Sequence, residues 1–192
     1  MNIPTNEQCY TLIDEMQMMD HIVAHSLQVC RVAFFLADEL NRGRNGLNCD
    51  LIRAAALLHD ITKTRSFNTG ENHDQTGGQF MAQQGYPEVG DLVRQHVKLD
   101  EYRGAGALNE AEIVNYADKR VLHDEIVGLD KRMEYILKRY ARRAEHRRRI
   151  YRLWEKTKVL EDRIFARLSF GPADLKRVIG PRGDARGCDY QK

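Results

Sequence analysis

The sequence predicts an all-α fold. Apolar residues recur at three- and four-residue steps in one segment after another, the spacing that places them on a single face of a helix. Only four of the 192 residues are proline, and three of these lie near segment ends or in the tail. No segment has a convincing strand pattern, and a chain of this length can bury a core without disulfides or a structural metal.

Five helices are predicted in the first half of the chain. Thr5 or Asn6 is the candidate cap of the first, and Asp50 caps the third, which is short and strongly apolar. Gly85 suits the end of the fourth helix and Pro87 the first turn of the fifth. Residues 41–48 and 61–72 are predicted to be loops, and the helices cover about 6–19, 22–41, 51–60, 74–84 and 87–97.

The second half begins with a loop at 99–109. A helix opened by Asn109 or Glu110 is then expected to run to about residue 124. From Gly128 a long charged helix follows to about Leu168, and the Gly-rich end of the chain is expected to be frayed. We therefore expect a compact helical bundle at 1–140 and a basic helical extension with a flexible tail at 141–192.

Charge is distributed unevenly between these two parts. Residues 1–140 hold 15 Lys/Arg and 21 Asp/Glu, a net charge of −6, whereas residues 141–192 hold 15 and 7, a net charge of +8. No apolar run reaches the ~18 residues of a membrane span, and the acidic N-terminus lacks the basic region of a secretory signal. The four cysteines stand far apart, which predicts reduced thiols and a cytoplasmic protein.

His59 and Asp60 close the apolar third helix and are the first candidate metal ligands. Polar ligands at the end of a buried helix are held rigidly beside an open loop, although a satisfied buried histidine is an equal alternative. Asp118 adds to the pattern because it lies among apolar residues of its helix, where an unpaired carboxylate is costly. A salt bridge to Lys119 or Arg120 is its alternative explanation.

Together with His25, these residues resemble a known family. His25, His59-Asp60 in the run HDITK, and Asp118 are similar to the H…HD…D signature of the HD-domain superfamily, whose members are all-α metal-dependent phosphohydrolases. The resemblance covers roughly residues 20–140. It implies an HD-domain bundle whose first metal ion is held by His25, His59, Asp60 and Asp118.

His73 and His96 match the members of that superfamily that bind two metal ions. The resemblance implies that these histidines hold the second ion and that Asp60 bridges to it. Two divalent ions per chain are therefore expected, and the donor set suits Fe, Mn, Zn, Co or Ni. The implied reaction is hydrolysis of a small phosphorylated metabolite, with a nucleotide as the expected substrate, by a metal-activated hydroxide.

Lys63 is the best candidate for binding the substrate phosphate. A lysine at this place of the run HDITK commonly faces the phosphate in the family, where Gly often replaces Thr62. Arg65 and Arg120 are weaker candidates.

The remaining histidines are expected to lie outside the site. His21 is assigned to a helix end, and His123 and His146 to the surface. Asp74 is expected to cap its helix rather than to bind a ligating imidazole. Gly77 and Gly78 suggest a close approach of two helices.

The basic extension is expected to be mainly a solvated helix face. Steering of an anionic substrate is one alternative, and nucleic-acid binding is a further partner that is not favoured. A homodimer through this helix is also open. Two other functions remain alternatives for the whole chain: a di-iron oxygenase of the same superfamily, and a non-catalytic regulatory module that binds nucleotides or nucleic acid.

Overall fold

The computed structural model describes residues 1–100, 104, 106–141, 143–180 and 188. Within these residues, helices account for nearly all of the regular structure, as the sequence predicts. The elements in chain order are α1 (Asn6–Glu15), α2 (Asp20–Arg42), α3 (Cys49–Leu58), α4 (Lys63–Thr69), α5 (His73–Gln83), α6 (Pro87–Gln95), α7 (Glu110–Lys119), β1 (Val121–Leu122), β2 (Glu125–Ile126), α8 (Leu129–Tyr140), α9 (Ala144–Phe165), a 3₁₀ turn (Pro172–Asp174) and α10 (Leu175–Ile179).

Helix α3 lies at the centre of the bundle, where every residue from Leu51 to Leu58 is buried. It packs against α2, α6 and α7, while α5 packs mainly along α6. The caps of α1 and α7 are those expected from the sequence, since Thr5 and Asn109 each close a capping box. The cap of α3 is Asn48 and not Asp50, which lies in the first turn of this helix.

The structure corrects the prediction at several connections. Residues 63–69 form α4 where a loop was expected. A two-stranded antiparallel hairpin follows α7, with Val121 opposite Ile126, because the chain turns at His123 in the left-handed region (φ 56°). The long charged helix is two helices, and Arg143 has extended backbone between them.

Helix α9 docks on the bundle through a buried polar network. Arg120 lies at the end of α7. Its guanidinium donates to the Tyr116 hydroxyl and to Glu161 at 3.1 Å. It also donates to the backbone carbonyls of Val127 at 2.7 Å and Pro172 at 2.8 Å. It therefore ties α7, the hairpin, α9 and the 3₁₀ turn together. Trp154, Leu160 and Ile164 bury the apolar face of α9.

The C-terminal part of the chain also departs from the prediction. The segment expected to be frayed contains the 3₁₀ turn and α10, and Leu175 and Ile179 are buried. Cys188 forms a disulfide with Cys30 of α2, whereas four reduced thiols were expected. The two cysteines are 158 residues apart, so that only the tertiary fold brings them together. The rest of the tail, 181–187 and 189–192, lies outside the described residues.

None of the described helices is both long enough and apolar enough to span a membrane.

Candidate metal centre

The six side chains predicted as metal ligands converge at the ends of five helices. They belong to the second turn of α2, the end of α3, the start of α5, the end of α6 and the last turn of α7: His25, His59, Asp60, His73, His96 and Asp118. Helix ends adjoin loops, so the cluster is anchored in the core and still borders the surface.

The first half of the cluster surrounds Oδ1 of Asp118. This atom lies 3.1 Å from Nε2 of His25 and 3.8 Å from Nε2 of His59. The ligand atoms of these three residues are all within 4.8 Å of one another, close enough to share one ion.

The second half surrounds Asp60. Its Oδ1 atom lies 3.2 Å from Nε2 of His73 and 3.6 Å from Nε2 of His96. His59 joins the two halves, because its Nε2 is also 3.4 Å from Oδ2 of Asp60. One buried ring nitrogen therefore lies near an oxygen of each of the two carboxylates.

Backbone carbonyls orient three of the four rings. In each case Nδ1 lies within hydrogen-bond distance of a carbonyl oxygen: His25 with His123 (2.7 Å), His59 with Ala56 (2.8 Å) and His96 with Val93 (2.6 Å). A carbonyl oxygen only accepts, so Nδ1 carries the hydrogen and donates it. In the neutral ring, the lone pair of Nε2 then faces the cluster, as in a metal-ligating histidine.

The polar atoms at the centre fit a divalent cation better than one another. Nε2 of His59 and Oδ1 of Asp60 are buried, and neither has a hydrogen-bond partner among the described residues. Nε2 of His96 is an acceptor, and Nε2 of His73 faces it at 3.2 Å, so a hydrogen carried by the His73 ring or a cation lies between the two nitrogens. Buried polar atoms without partners are rare and costly. A cation in contact with these nitrogens and oxygens removes that cost.

The charges of the cluster keep both carboxylates ionised. Burial would raise the pKa of Asp60, but His59 and Lys63 hold it well below its usual range. Burial acts in the same direction on Asp118, and its hydrogen bond with His25 contributes to a pKa that is again well below the usual range. Two carboxylates are therefore available as anionic ligands near neutral pH.

The pKa values of two buried rings, His96 and His59, are shifted in opposite directions. Burial lowers the pKa of His96 to about 3, and the neighbouring His59 adds to this effect, so the His96 ring is neutral. Burial also disfavours the charged form of His59, but the charge of Asp60 outweighs it and raises the pKa. A metal ion held by His59 would take the place of that proton.

Lys63 and Arg132 bring positive charge to the cluster. Nζ of Lys63, in the first turn of α4, lies 2.7 Å from Oδ2 of Asp60. Arg132 of α8 places Nη2 3.6 Å from Oδ1 of Asp118. Lys63 is among the residues predicted from the sequence. Arg132 is not, because the sequence contains no local signal that α8 returns to Asp118.

The two weaker phosphate-binding candidates lie elsewhere. Arg65 pairs with Glu71 on the surface, with Nε 2.8 Å from Oε1. Arg120 is taken up by the buried network that docks α9. Both side chains therefore have structural partners away from the cluster.

The other histidines and Asp74 also have definite places. His21 and His146 are exposed, and the side chain of His123 is exposed although its carbonyl orients His25. Asp74 does not cap α5, which begins at His73 after Asn72, so the capping role expected for it is wrong.

A close helix contact brings His73 and His96 together. Gly78 of α5 and Gly90 of α6 touch through their backbones, and a Cβ atom built on Gly78 would lie 2.8 Å from the carbonyl oxygen of Gly90. This confirms the close approach expected of the paired glycines. The end of α6 is held by α7, where Asn115 and Lys119 donate to the carbonyl of His96 at 3.0 and 2.8 Å.

Comparisons with known proteins identify a family and several relatives. The family model for the HD domain matches residues 22–121. Ribonuclease Y of Aquifex aeolicus is 35% identical over 84 residues, which cover 43% of this chain and 14% of that protein.

Two further relatives match over a longer stretch. The tRNA (cytidine(56)-2'-O)-methyltransferase of Picrophilus torridus is 27% identical over 145 residues, 69% of this chain and 40% of that protein. An uncharacterized protein of Methanocaldococcus jannaschii is 25% identical over 138 residues, 65% of this chain and 78% of that protein. The chain thus spans less than half of the length of this ribonuclease Y and of this methyltransferase. No solved structure gives a significant match.

Proposed function

This chain belongs to the HD-domain family, and from that premise we propose that it is a metal-dependent phosphohydrolase whose substrate is a small phosphorylated metabolite, a nucleotide in our expectation. One observation carries the proposal. Four Nε2 atoms and two carboxylates meet in one cluster that is buried on one side, and an ammonium group lies beside them. Hydrolysis of phosphate esters needs both a place for divalent cations and positive charge for the phosphoryl oxygens.

The ligands divide into two sets. His25, His59, Asp60 and Asp118 would hold one ion, and His73 and His96 together with Asp60 would hold a second. When bound, divalent ions would polarise a phosphoryl oxygen and lower the pKa of the attacking water. Imidazole and carboxylate donors suit Fe, Mn, Zn, Co or Ni.

The exposure of the side chains indicates where the substrate enters. His59 and Asp60 are fully buried, whereas the side chains of His73 and Lys63 are 25% and 28% exposed. A phosphoryl group arriving from the open side would meet the partly exposed Lys63 and His73. Its ammonium, whose pKa is raised by Asp60 although burial opposes this, stays charged and can donate to a non-bridging oxygen.

The test is a hydrolysis screen of the metal-loaded protein over nucleotides, dinucleotides and sugar phosphates, with elemental analysis of the same sample. We expect release of phosphate or of a nucleotide from at least one class. Asp60→Ala should abolish both metal binding and hydrolysis, and His146→Ala on the exposed face of α9 should change neither. Full activity of Asp60→Ala would contradict the mechanism.

Lys63→Ala separates the phosphate-binding role from a metal-binding role. We expect a raised KM or a lowered kcat with the metal content unchanged, because the lysine contacts a ligand but carries no lone pair at neutral pH. Loss of metal in this variant would show that Lys63 maintains the metal site.

A second candidate substrate is RNA. Two relatives are named for RNA, a ribonuclease and a tRNA methyltransferase, and the first half of α9 exposes Arg147, Arg148, Arg149 and Arg152. An oligoribonucleotide in the same screen tests RNA as a substrate beside small nucleotides. If RNA is the substrate, replacing these arginines by glutamine should weaken RNA cleavage and its salt dependence but leave nucleotide hydrolysis unchanged. Iron in the protein with dioxygen uptake and no hydrolysis would favour an oxygenase instead.

A further inference from the structure

We propose that Arg132 binds the phosphoryl group of the substrate, so that α8 contributes a further cation to the active site besides Lys63. The inference rests on the proposed hydrolase function and assigns the site a residue beyond the part of the chain that the family model matches, 22–121. It concerns binding of the substrate anion and not binding of the metal ions.

The fold builds this contact through the hairpin. The chain leaves Asp118 at the end of α7, reverses through β1 and β2, and returns in α8, whose fourth residue is Arg132. Backbone pairing fixes the return, because the amide of Val127 donates to the carbonyl of Arg120 at 2.8 Å. The guanidinium thus comes back to the carboxylate that its own chain left 14 residues earlier.

The guanidinium is largely buried and has donors to spare. The Arg132 side chain is only 13% exposed, and its Nη2 lies 3.6 Å from Oδ1 of Asp118, too far for a good hydrogen bond. Its Nε is buried without a hydrogen-bond partner among the described residues. The ring of Tyr135, 5.9 Å from the guanidinium carbon, supports it from one side. A buried guanidinium with unused donors is suited to a further acceptor.

Occupation of the metal site would change the balance of charge around Arg132. The Asp118 oxygen that it faces is the same atom that lies beside His25 and His59. A cation held by these residues shares the charge of that oxygen, which leaves Arg132 close to a second positive charge. An anion then stabilises both. The planar fork of arginine matches two non-bridging oxygens of a phosphoryl group.

The experiment uses inorganic phosphate as the probe and the metal-loaded full chain as the protein. Phosphate affinity is measured by calorimetry for the wild type, Arg132→Gln, Arg132→Lys and Lys131→Gln, with metal content measured for each. Lys131 is the matched control, because it is the preceding residue of α8, is exposed and lies 3.9 Å from Glu125.

We expect Arg132→Gln to bind phosphate about 10- to 100-fold more weakly with its metal content unchanged, the loss of one or two charged hydrogen bonds. Arg132→Lys keeps the charge without the fork, so a loss of about 10-fold is expected even if the glutamine variant folds poorly. Lys131→Gln should stay within about twofold of the wild type.

Three results would overturn the assignment: unchanged phosphate affinity in both Arg132 variants, loss of metal from them, or no phosphate binding by the metal-loaded wild type. The first would make Arg132 a structural partner of Asp118. Arg132-dependent phosphate binding without hydrolysis of any ester would instead support the assignment and refute the hydrolase function. Hydrolysis by the wild type together with unchanged phosphate affinity in both Arg132 variants would support the hydrolase function and refute the assignment of Arg132.

Discussion

Replacing Gly78 by alanine tests how the second half of the metal centre is held together. The added Cβ would lie 2.8 Å from the carbonyl oxygen of Gly90 and 2.9 Å from Cβ of Arg94. Both are backbone or next to it, so no side-chain rotation relieves the overlap. A carbon–oxygen contact of ordinary length, ~3.3–3.6 Å, would require α5 and α6 to separate by about 0.5–0.8 Å.

Two effects of opposite sign set the size of the change in stability. Alanine favours a helix over glycine by about 1 kcal/mol, whereas an overpacked contact costs about 1–3 kcal/mol. Gly77→Ala has the same helix preference, but its closest contact, at 3.0 Å, is a methyl group of Val93 that can shift. We therefore expect Gly78→Ala to be less stable than Gly77→Ala by roughly 1–2 kcal/mol.

Urea unfolding of the metal-free proteins measures this difference without a contribution from bound ions. The same helix separation should widen the 3.2 Å gap between Nε2 of His73 and Nε2 of His96, so Gly78→Ala should also bind the second metal ion more weakly. A Gly78→Ala protein as stable as Gly77→Ala, with full metal content, would refute the account of this contact.

Three further outcomes are expected. The free energy of unfolding of Arg120→Met should be lower by about 3–5 kcal/mol, because Glu161 keeps a partly buried charge without its cation. The metal content of this variant should not change. Urea unfolding identical to that of the wild type would contradict the buried network. Cys188→Ser should lose about 2–5 kcal/mol without reductant, since the disulfide closes a long loop; an equal loss measured with reductant would point to packing instead. Chelation of the metal should lower the melting temperature, because removing a ligand whose free concentration is 1,000 times its Kd costs ~4 kcal/mol of stability. An unchanged melting temperature would count against a metal bound by the native state.

The helices that bury an apolar face could be predicted from the sequence, and so could the residues that form the cluster. Thr5 and Asn109 act as caps through local contacts, and Gly85 takes the left-handed conformation (φ 87°) that the end of α5 requires. The ordered set of histidines and aspartates could be recognised because it resembles the HD-domain signature, and the structure brings these side chains together. That these residues bind two metal ions, and that the domain ends near residue 140, stay predictions.

The errors have two physical origins: local features that the apolar pattern does not indicate, and contacts between distant parts of the chain. The short helix α4 has no apolar period of its own, and the hairpin depends on His123 adopting a positive φ. Arg132 reaches Asp118 only after that hairpin reverses the chain. Local periodicity reports which face of an element is buried, but not which element covers it.

The number of metal ions bound per chain tests the central claim most directly. Elemental analysis of the purified wild-type protein, after loading with each candidate metal in turn, should give two ions per chain. His73→Ala and His96→Ala should each reduce this to one, and His146→Ala should leave it at two. A wild-type protein that binds no divalent metal would contradict the account, and one that binds a single ion unaffected by either substitution would return His73 and His96 to structural roles.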